Sequence, residues 1–182
     1  MLKINNNAET GKWSSPLPGL TWSMPLGKNH PSGFGSRRKY GFHTGIDLYC
    51  EHDQPLAAVE SGKVISITDF GKRQHTSPWL NKTRVILIEG KSGIVAYCNV
   101  REDRGLKPGH RVDSGQVIGK VVNIFKKRNK KNACMLHLEL YSPGTKRRVS
   151  WSNNYPKPQQ LLDPTSKLLD IIVAKQVMYK RG

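Results

Sequence analysis

The sequence predicts an all-β protein built on an antiparallel sheet, with a sheet or β-sandwich core, long loops around a groove and one C-terminal helix. Three observations carry that prediction. Apolar residues come in short runs of strand length with little helical spacing. Turn residues punctuate those runs, with 17 glycines and 11 prolines spread over 182 residues. Only the segment after Asp163 combines a helix start signal with a wide apolar stripe.

Residues 1–20 are polar and contain Ser14-Ser15-Pro16-Leu17-Pro18-Gly19, which reads as an N-terminal arm or loop. The strand candidates are Pro55 to Ile67, Arg84 to Glu89, Ile94 to Val100, Gln116 to Ile124 and Cys134 to Tyr141. Gly90-Lys91-Ser92-Gly93 joins two of them as a hairpin. Gly71 to Thr83, containing His75 and Trp79, is a long polar loop, and such loops on a β scaffold are often binding elements. Asp163 is a fitting N-cap and Pro164 a fitting first residue for a helix that runs to about Met178. Its apolar residues dock on the chain's own domain or offer a handle to a partner protein. The expected organisation is an arm at 1–20, one domain at 21–169 and a helical extension at 170–182.

Composition bounds the partners. No stretch approaches the ~20 apolar residues of a membrane span. The first residues, Met1 to Glu9, lack the apolar core of a secretory signal, so the expectation is synthesis in the cytoplasm and either retention there or export by another route. The net charge of +17, from 30 basic and 13 acidic residues, predicts an anionic partner such as a wall polymer or, with less support, nucleic acid. The densest run holds Lys126, Lys127, Arg128, Lys130 and Lys131, which are the expected anion-binding residues; the alternative is a merely solvated surface. Cys50, Cys98 and Cys134 are odd in number and widely spaced, with no Cys-x-x-Cys. They read as small buried apolar residues of a chain made in a reducing compartment, not as a thiolate zinc site.

Two segments carry chemistry. The first is His43-Thr44-Gly45-Ile46-Asp47 and the second is Met135-Leu136-His137-Leu138-Glu139-Leu140. His43, Asp47 and His137 form a set of two imidazoles and one carboxylate, which suits zinc with a fourth position open. Strand alternation puts Met135, His137 and Glu139 on one face and Leu136, Leu138 and Leu140 on the other. The same alternation puts Asn99 on the face of Tyr97, with Cys98 and Val100 opposite.

These segments resemble the lysostaphin-like (LytM-type) zinc endopeptidases of bacterial cell walls, whose motifs are His-x-x-x-Asp and His-x-His in the context His-x-His-Phe-Glu. Phe42 to Leu48 matches the first motif, and Leu138-Glu139-Leu140 aligns the second so that His137 is its metal ligand. Pro55 to Ile65, the Lys107-Pro108-Gly109 turn with Gly115-Gln116-Val117-Ile118-Gly119, and Leu162-Asp163-Pro164 resemble further family segments in the right order. The resemblance covers roughly Trp22 to Leu169. It implies a lysostaphin-like fold, one zinc per chain on His43, Asp47 and His137, peptidoglycan as the partner, and a substrate groove at Tyr97, Asn99 and Trp79.

The sequence departs from the family at two catalytic positions. Met135 stands where the family has the first histidine of His-x-His. Asn99, in Tyr97-Cys98-Asn99-Val100, stands where it has the histidine of Tyr-Ala-His-Leu. A thioether does not titrate, and an amide cannot shuttle a proton, although it can donate to an oxyanion. His75 is the best-placed substitute, ahead of His30, His52 and His110. The leading expectation is therefore a zinc-holding, catalytically impaired domain used for wall binding or as a structural part, including a phage virion component. The alternative is an active zinc endopeptidase acting on peptidoglycan cross-links; a third reading makes the basic surface primary and nucleic acid the partner.

Overall fold

Among the described residues the chain forms eleven strands and one helix. The computed structural model describes residues 12–21, 30–70, 80–126 and 134–179. The strands are β1 (Arg37–Arg38), β2 (Gly41–Phe42), β3 (Ile46–Tyr49), β4 (Pro55–Ala57), β5 (Gly62–Asp69), β6 (Arg84–Gly90), β7 (Gly93–Glu102), β8 (Arg111–Val112), β9 (Val117–Val121), β10 (Met135–Tyr141) and β11 (Leu161–Leu162). The helix α1 spans Thr165–Tyr179. Strands β1 and β2 form a small ribbon, and the other nine form one sheet. Every pairing is antiparallel.

The backbone of the large sheet runs β11-β10-β7-β6-β5-β8. β3 pairs with the first half of β10, and β9 pairs with the last residues of β7 and with β4. The run expected as one strand from Pro55 to Ile67 is split in two. Between the halves, Ala58 donates to the Gln116 carbonyl, Val59 donates to the Tyr97 hydroxyl, and the buried Glu60 carboxylate accepts from the Ser92 amide and hydroxyl. The split lets β4 pair with β9 while β5 pairs with β6 and β8. The hairpin at Gly90 to Gly93 forms as expected.

Both faces of the central strands are buried, each against its own apolar cluster. One face carries Ile46, Leu48, Ile86, Ile88, Val95, Tyr97, Leu136 and Leu138. The other carries Val85, Leu87, Ile94, Ala96, Cys98, Tyr141 and Leu161, with Phe34, Phe70 and Trp151 packed on it. Fully burying one Val, Leu or Ile side chain contributes about 1.5–3 kcal/mol before the entropy of ordering it is subtracted. Two peripheral segments add to the first face. Residues 12–20 have no regular structure, yet Trp13 and Leu17 are buried in that cluster, and the Trp13 indole donates to Ser92 Oγ at 3.0 Å. Leu168 and Ile171 dock the start of α1 there, and Asp163 Oδ1 caps the helix by accepting from the Thr165 amide at 2.9 Å.

The approach of β3 to β10 depends on one glycine. A Cβ at Gly45 would meet the Leu138 carbonyl oxygen at 2.3 Å and Glu139 Cγ at 2.9 Å. Overpacking of this kind typically costs about 1–3 kcal/mol. Gly45→Ala is therefore expected to lower the unfolding free energy by that amount, shifting the denaturant midpoint down, and to weaken metal retention, because His43 and Asp47 flank it. An unchanged midpoint and metal content would show that the two strands have room to part.

Candidate metal centre

The register of β3 on β10 places Asp47 opposite His137, and the register of β10 on β7 places His137 opposite Cys98. His43 enters from the connection between β2 and β3, where its amide donates to the Ser36 carbonyl and its carbonyl accepts from Gly35. The three candidate ligands then meet. Asp47 Oδ1 lies 2.8 Å from His137 Nδ1 and 3.2 Å from His43 Nε2, and the two ring nitrogens are 3.1 Å apart. All three residues are buried.

Tetrahedral zinc with bonds of about 2.0–2.1 Å holds its ligand atoms roughly 3.3 Å apart, so a small widening of this triangle accepts the ion. The remaining ring nitrogens are already engaged. His43 Nδ1 donates to the Gly33 carbonyl at 2.9 Å, and His137 Nε2 donates to Glu139 Oε1 at 2.9 Å. Such outer hydrogen bonds fix the tautomer that leaves the inner nitrogen free to ligate. The donor set therefore fits zinc.

Residues 41–149 match the family model described as Peptidase family M23. The chain belongs to peptidase family M23. That family is zinc-dependent, in keeping with the donor set. Among solved structures, the M23 chain is similar to the catalytic domain of the antimicrobial peptidase lysostaphin from Staphylococcus simulans, at 20% identity over 75% of this chain and 89% of that one, with a TM-score of 0.50. It is similar to a solution structure of lysostaphin at 18% identity and a TM-score of 0.51, covering 82% of this chain and 51% of that one. It thus spans about half the length of that protein. A zinc containing peptidase from Vibrio cholerae matches at 22% identity, over 74% of this chain and 35% of that one, with a TM-score of 0.45. No curated protein matches the chain at a significant level. The two lysostaphin structures support the lysostaphin-like fold.

The electrostatics of the M23 site follow from burial opposed by partners. Burial alone would favour a neutral Asp47, but hydrogen bonds from His137 and His43 hold its carboxyl well below the usual range. Burial opposes a charged His137, yet Asp47 and Glu139 on its two nitrogens push its pKa up to about 9. Burial also opposes a charged Glu139, and Arg148 and His137 overcome that. Glu139 is fully buried and, besides His137, accepts from three side chains: Arg148 through Nε and Nη2, Tyr141 Oη at 2.8 Å and Thr44 Oγ1 at 2.5 Å; the Arg148 guanidinium in turn lies over the Phe70 ring, 4.5 Å from its centroid. Sequence reasoning put Glu139 on the face of His137 but gave no role to Tyr141, two residues further along that strand, to Thr44, inside the first motif, or to Arg148, which no motif marks.

A second group, Cys98, His137 and Glu139, also brings its ligand atoms close together. It is the poorer site. Burial pushes the Cys98 thiol well up, against the thiolate a metal needs, and Glu139 is committed to Arg148.

The other expected site residues are placed as follows. Tyr97 does not line a groove: it is fully buried in the first core, and its hydroxyl accepts from the Val59 amide. Asn99 has a left-handed backbone, φ 63°, at a point where the β6–β7 register gains a residue. That bulge corrects the expected alternation, since Tyr97 and Val100 now share one core while Cys98 joins the other. The Asn99 side chain is buried and its amide donates to the Met135 carbonyl at 3.4 Å. Met135 is half-buried and lies opposite Tyr49 on β3. His30, His52 and His110 make no hydrogen bond to the ligand set among the described residues; His30 accepts from the Ser32 amide and His52 from the Asn123 amide. His75, Trp79, Lys127, Arg128, Lys130 and Lys131 lie outside the described residues, and Lys126 is exposed.

One more feature borders the centre. Arg38, Lys39, Tyr40, Phe42, Arg148 and Trp151 line a cleft of about 370 Å³. Arg38 also reaches Asp47 Oδ2 at 3.5 Å, so the cleft and the metal ligands share a residue.

Purified protein is expected to carry close to one zinc per chain, and His43→Ala, Asp47→Ala and His137→Ala are each expected to remove most of it. Glu139→Gln should weaken zinc by about 10- to 100-fold while leaving the three ligands in place. Metal analysis showing equal zinc in wild type and the ligand variants would refute the assignment.

Zinc requires neutral His137, which is protonated in the metal-free chain below about pH 9. Zinc affinity should therefore rise about tenfold per pH unit from pH 7 towards 9 and level off above it. Calorimetry in buffers of different ionisation heat should show close to one proton released at pH 7.5; buffer-independent heats would contradict the paired state of His137.

Proposed function

We propose that this M23 domain binds peptidoglycan peptides at a zinc centre and hydrolyses them poorly or not at all, serving as a wall-binding or structural part. The observation that carries the reading is the state of the two positions from which protons would be handled. Met135 offers a thioether, which neither accepts nor donates a proton at neutral pH. Asn99 is buried and its amide is spent on the Met135 carbonyl. When bound, zinc supplies a Lewis acid that polarises a carbonyl and lowers the pKa of bound water. The chain's own residues hold the ligands in place, and among the described residues no imidazole outside the ligand set hydrogen-bonds to it. Loss of one general acid-base group typically slows turnover by about 10²- to 10⁴-fold.

The cleft beside the centre supports binding. Of its cations, Arg38 reaches the candidate ligand Asp47, where a peptide carboxylate would complement it while another oxygen faces the metal site. The runner-up, an active endopeptidase, draws support from the intact ligand triangle and its outer hydrogen bonds.

Zinc-loaded protein incubated with purified sacculi separates these readings. Wild type is expected to sediment with the sacculi and release no muropeptides above background. The double change Asn99→His plus Met135→His is expected to restore some release, and either change alone less, because the two functions act together. Histidine is among the residues that tolerate a left-handed backbone, so position 99 can accept it. Clear zinc-dependent release by wild type would overturn the impaired reading in favour of the active one. Steeply salt-dependent binding to DNA with no preference for sacculi would overturn both.

A further inference from the structure

Two of the three cysteines, far apart in sequence, meet across the strand pair that carries the metal ligands. β3 and β10 run antiparallel with Asp47 opposite His137, Leu48 opposite Leu136 and Tyr49 opposite Met135. Continuing that register by one residue sets Cys50 opposite Cys134, and the Cys50 amide donates to the Cys134 carbonyl at 3.2 Å. Directly opposed residues joined by such a bond have Cα atoms about 5.5 Å apart, which is within the range that disulfides span. Opposed side chains share a face of the sheet, and the Cys134 thiol donates to the carbonyl of Glu51, the neighbour of Cys50, at 3.2 Å. Cys134 is buried in the first core with Cys50 packed against it, whereas Cys98 is fully buried in the second core on the other face. Cys50 is only half-buried and is the sulfur that solution reaches.

We propose that Cys50 and Cys134 form a reversible cross-strand disulfide by exchange with a small-molecule or protein disulfide. One sulfur of the pair, as its thiolate, attacks the incoming disulfide, which releases one thiol and leaves a mixed disulfide on that cysteine. The other sulfur, after losing its proton, displaces the second thiol and closes the Cys50–Cys134 bond. The two cysteines lose two electrons and two protons, and the oxidant leaves as two thiols. In reducing surroundings the pair stays as thiols; in oxidising ones it bridges. The bridge pins β3 to β10 three residue pairs from Asp47 and His137, so it holds the metal-bearing strands in register.

The test treats the full chain with millimolar glutathione disulfide, blocks free thiols with an alkylating agent, and maps unreduced peptides by mass spectrometry. The expected product is a peptide pair linked through Cys50 and Cys134, reversed by dithiothreitol, with Cys98 alkylated only after unfolding. The bridged chain should melt about 5–10 °C higher than the reduced one, and Cys50→Ser and Cys134→Ser should each abolish both the linked peptide and the shift. A stable glutathione adduct on Cys50 without bridging, or alkylation of both Cys50 and Cys134 after treatment, would overturn the proposal.

Discussion

The alignment of β3 with β10 is the constraint on which the site depends. Side chains alternate along a strand, so a slip of one residue would turn Asp47 into the apolar cluster and bring Ile46 or Leu48 to the metal face. The apolar residues prevent that slip. Ile46, Leu48, Leu136 and Leu138 bury together on the opposite face, and their burial holds Asp47 against His137. The same alignment brings the backbones so close at Gly45 that a side chain has no place there. Core packing on one face and ligand geometry on the other are thus two results of a single register.

Charge burial is the second theme. Asp47, His137, Glu139 and Arg148 form a chain of alternating charge running from the ligand triangle through the buried Glu139 to Arg148 at the cleft. Removing one partner from such a buried set is costly, because it strands an uncompensated charge, although the intact set adds little to stability over an apolar replacement. The value of this arrangement lies in orientation. Arg148, Tyr141 and Thr44 fix Glu139, Glu139 fixes one nitrogen of His137, and the other nitrogen is left aimed at Asp47 and His43.

Most of the fold and the ligand set could be read from the sequence, for a local reason. Alternating apolar runs set β6, β7 and β10, and His43, Asp47 and His137 sit in contiguous motifs whose spacing survives folding. β3, β8 and β11 have only two to four residues and carry no periodic signal. Tyr97 and Asn99 were harder to place because the bulge at Asn99 adds a residue and reverses the faces beyond it. Arg148 supports Glu139 from a loop with no motif of its own. The juxtaposition of Cys50 and Cys134 is a property of strand register and leaves no trace in their spacing. Residues 12–20 look like a polar arm, yet Trp13 supplies enough apolar area to be drawn into the core once its indole N–H finds Ser92.

The bulge at Asn99 also bears on how the chain can change over generations. Beyond it, β7 exchanges β10 for β9 as its neighbour, so the left-handed residue is a joint in the sheet as well as a neighbour of the site. Few residue types besides glycine tolerate that backbone, and asparagine, aspartate and histidine are foremost among them. Asparagine and histidine codons differ in one base, whereas the methionine codon differs from every histidine codon at all three. Drift at position 99 therefore stays within a small set that includes an imidazole, while no single-base change turns Met135 into histidine. On the proposed reading, the departures at the two positions are unequal as barriers: one is a shallow step held in place by the geometry of a sheet, and the other behaves as a ratchet.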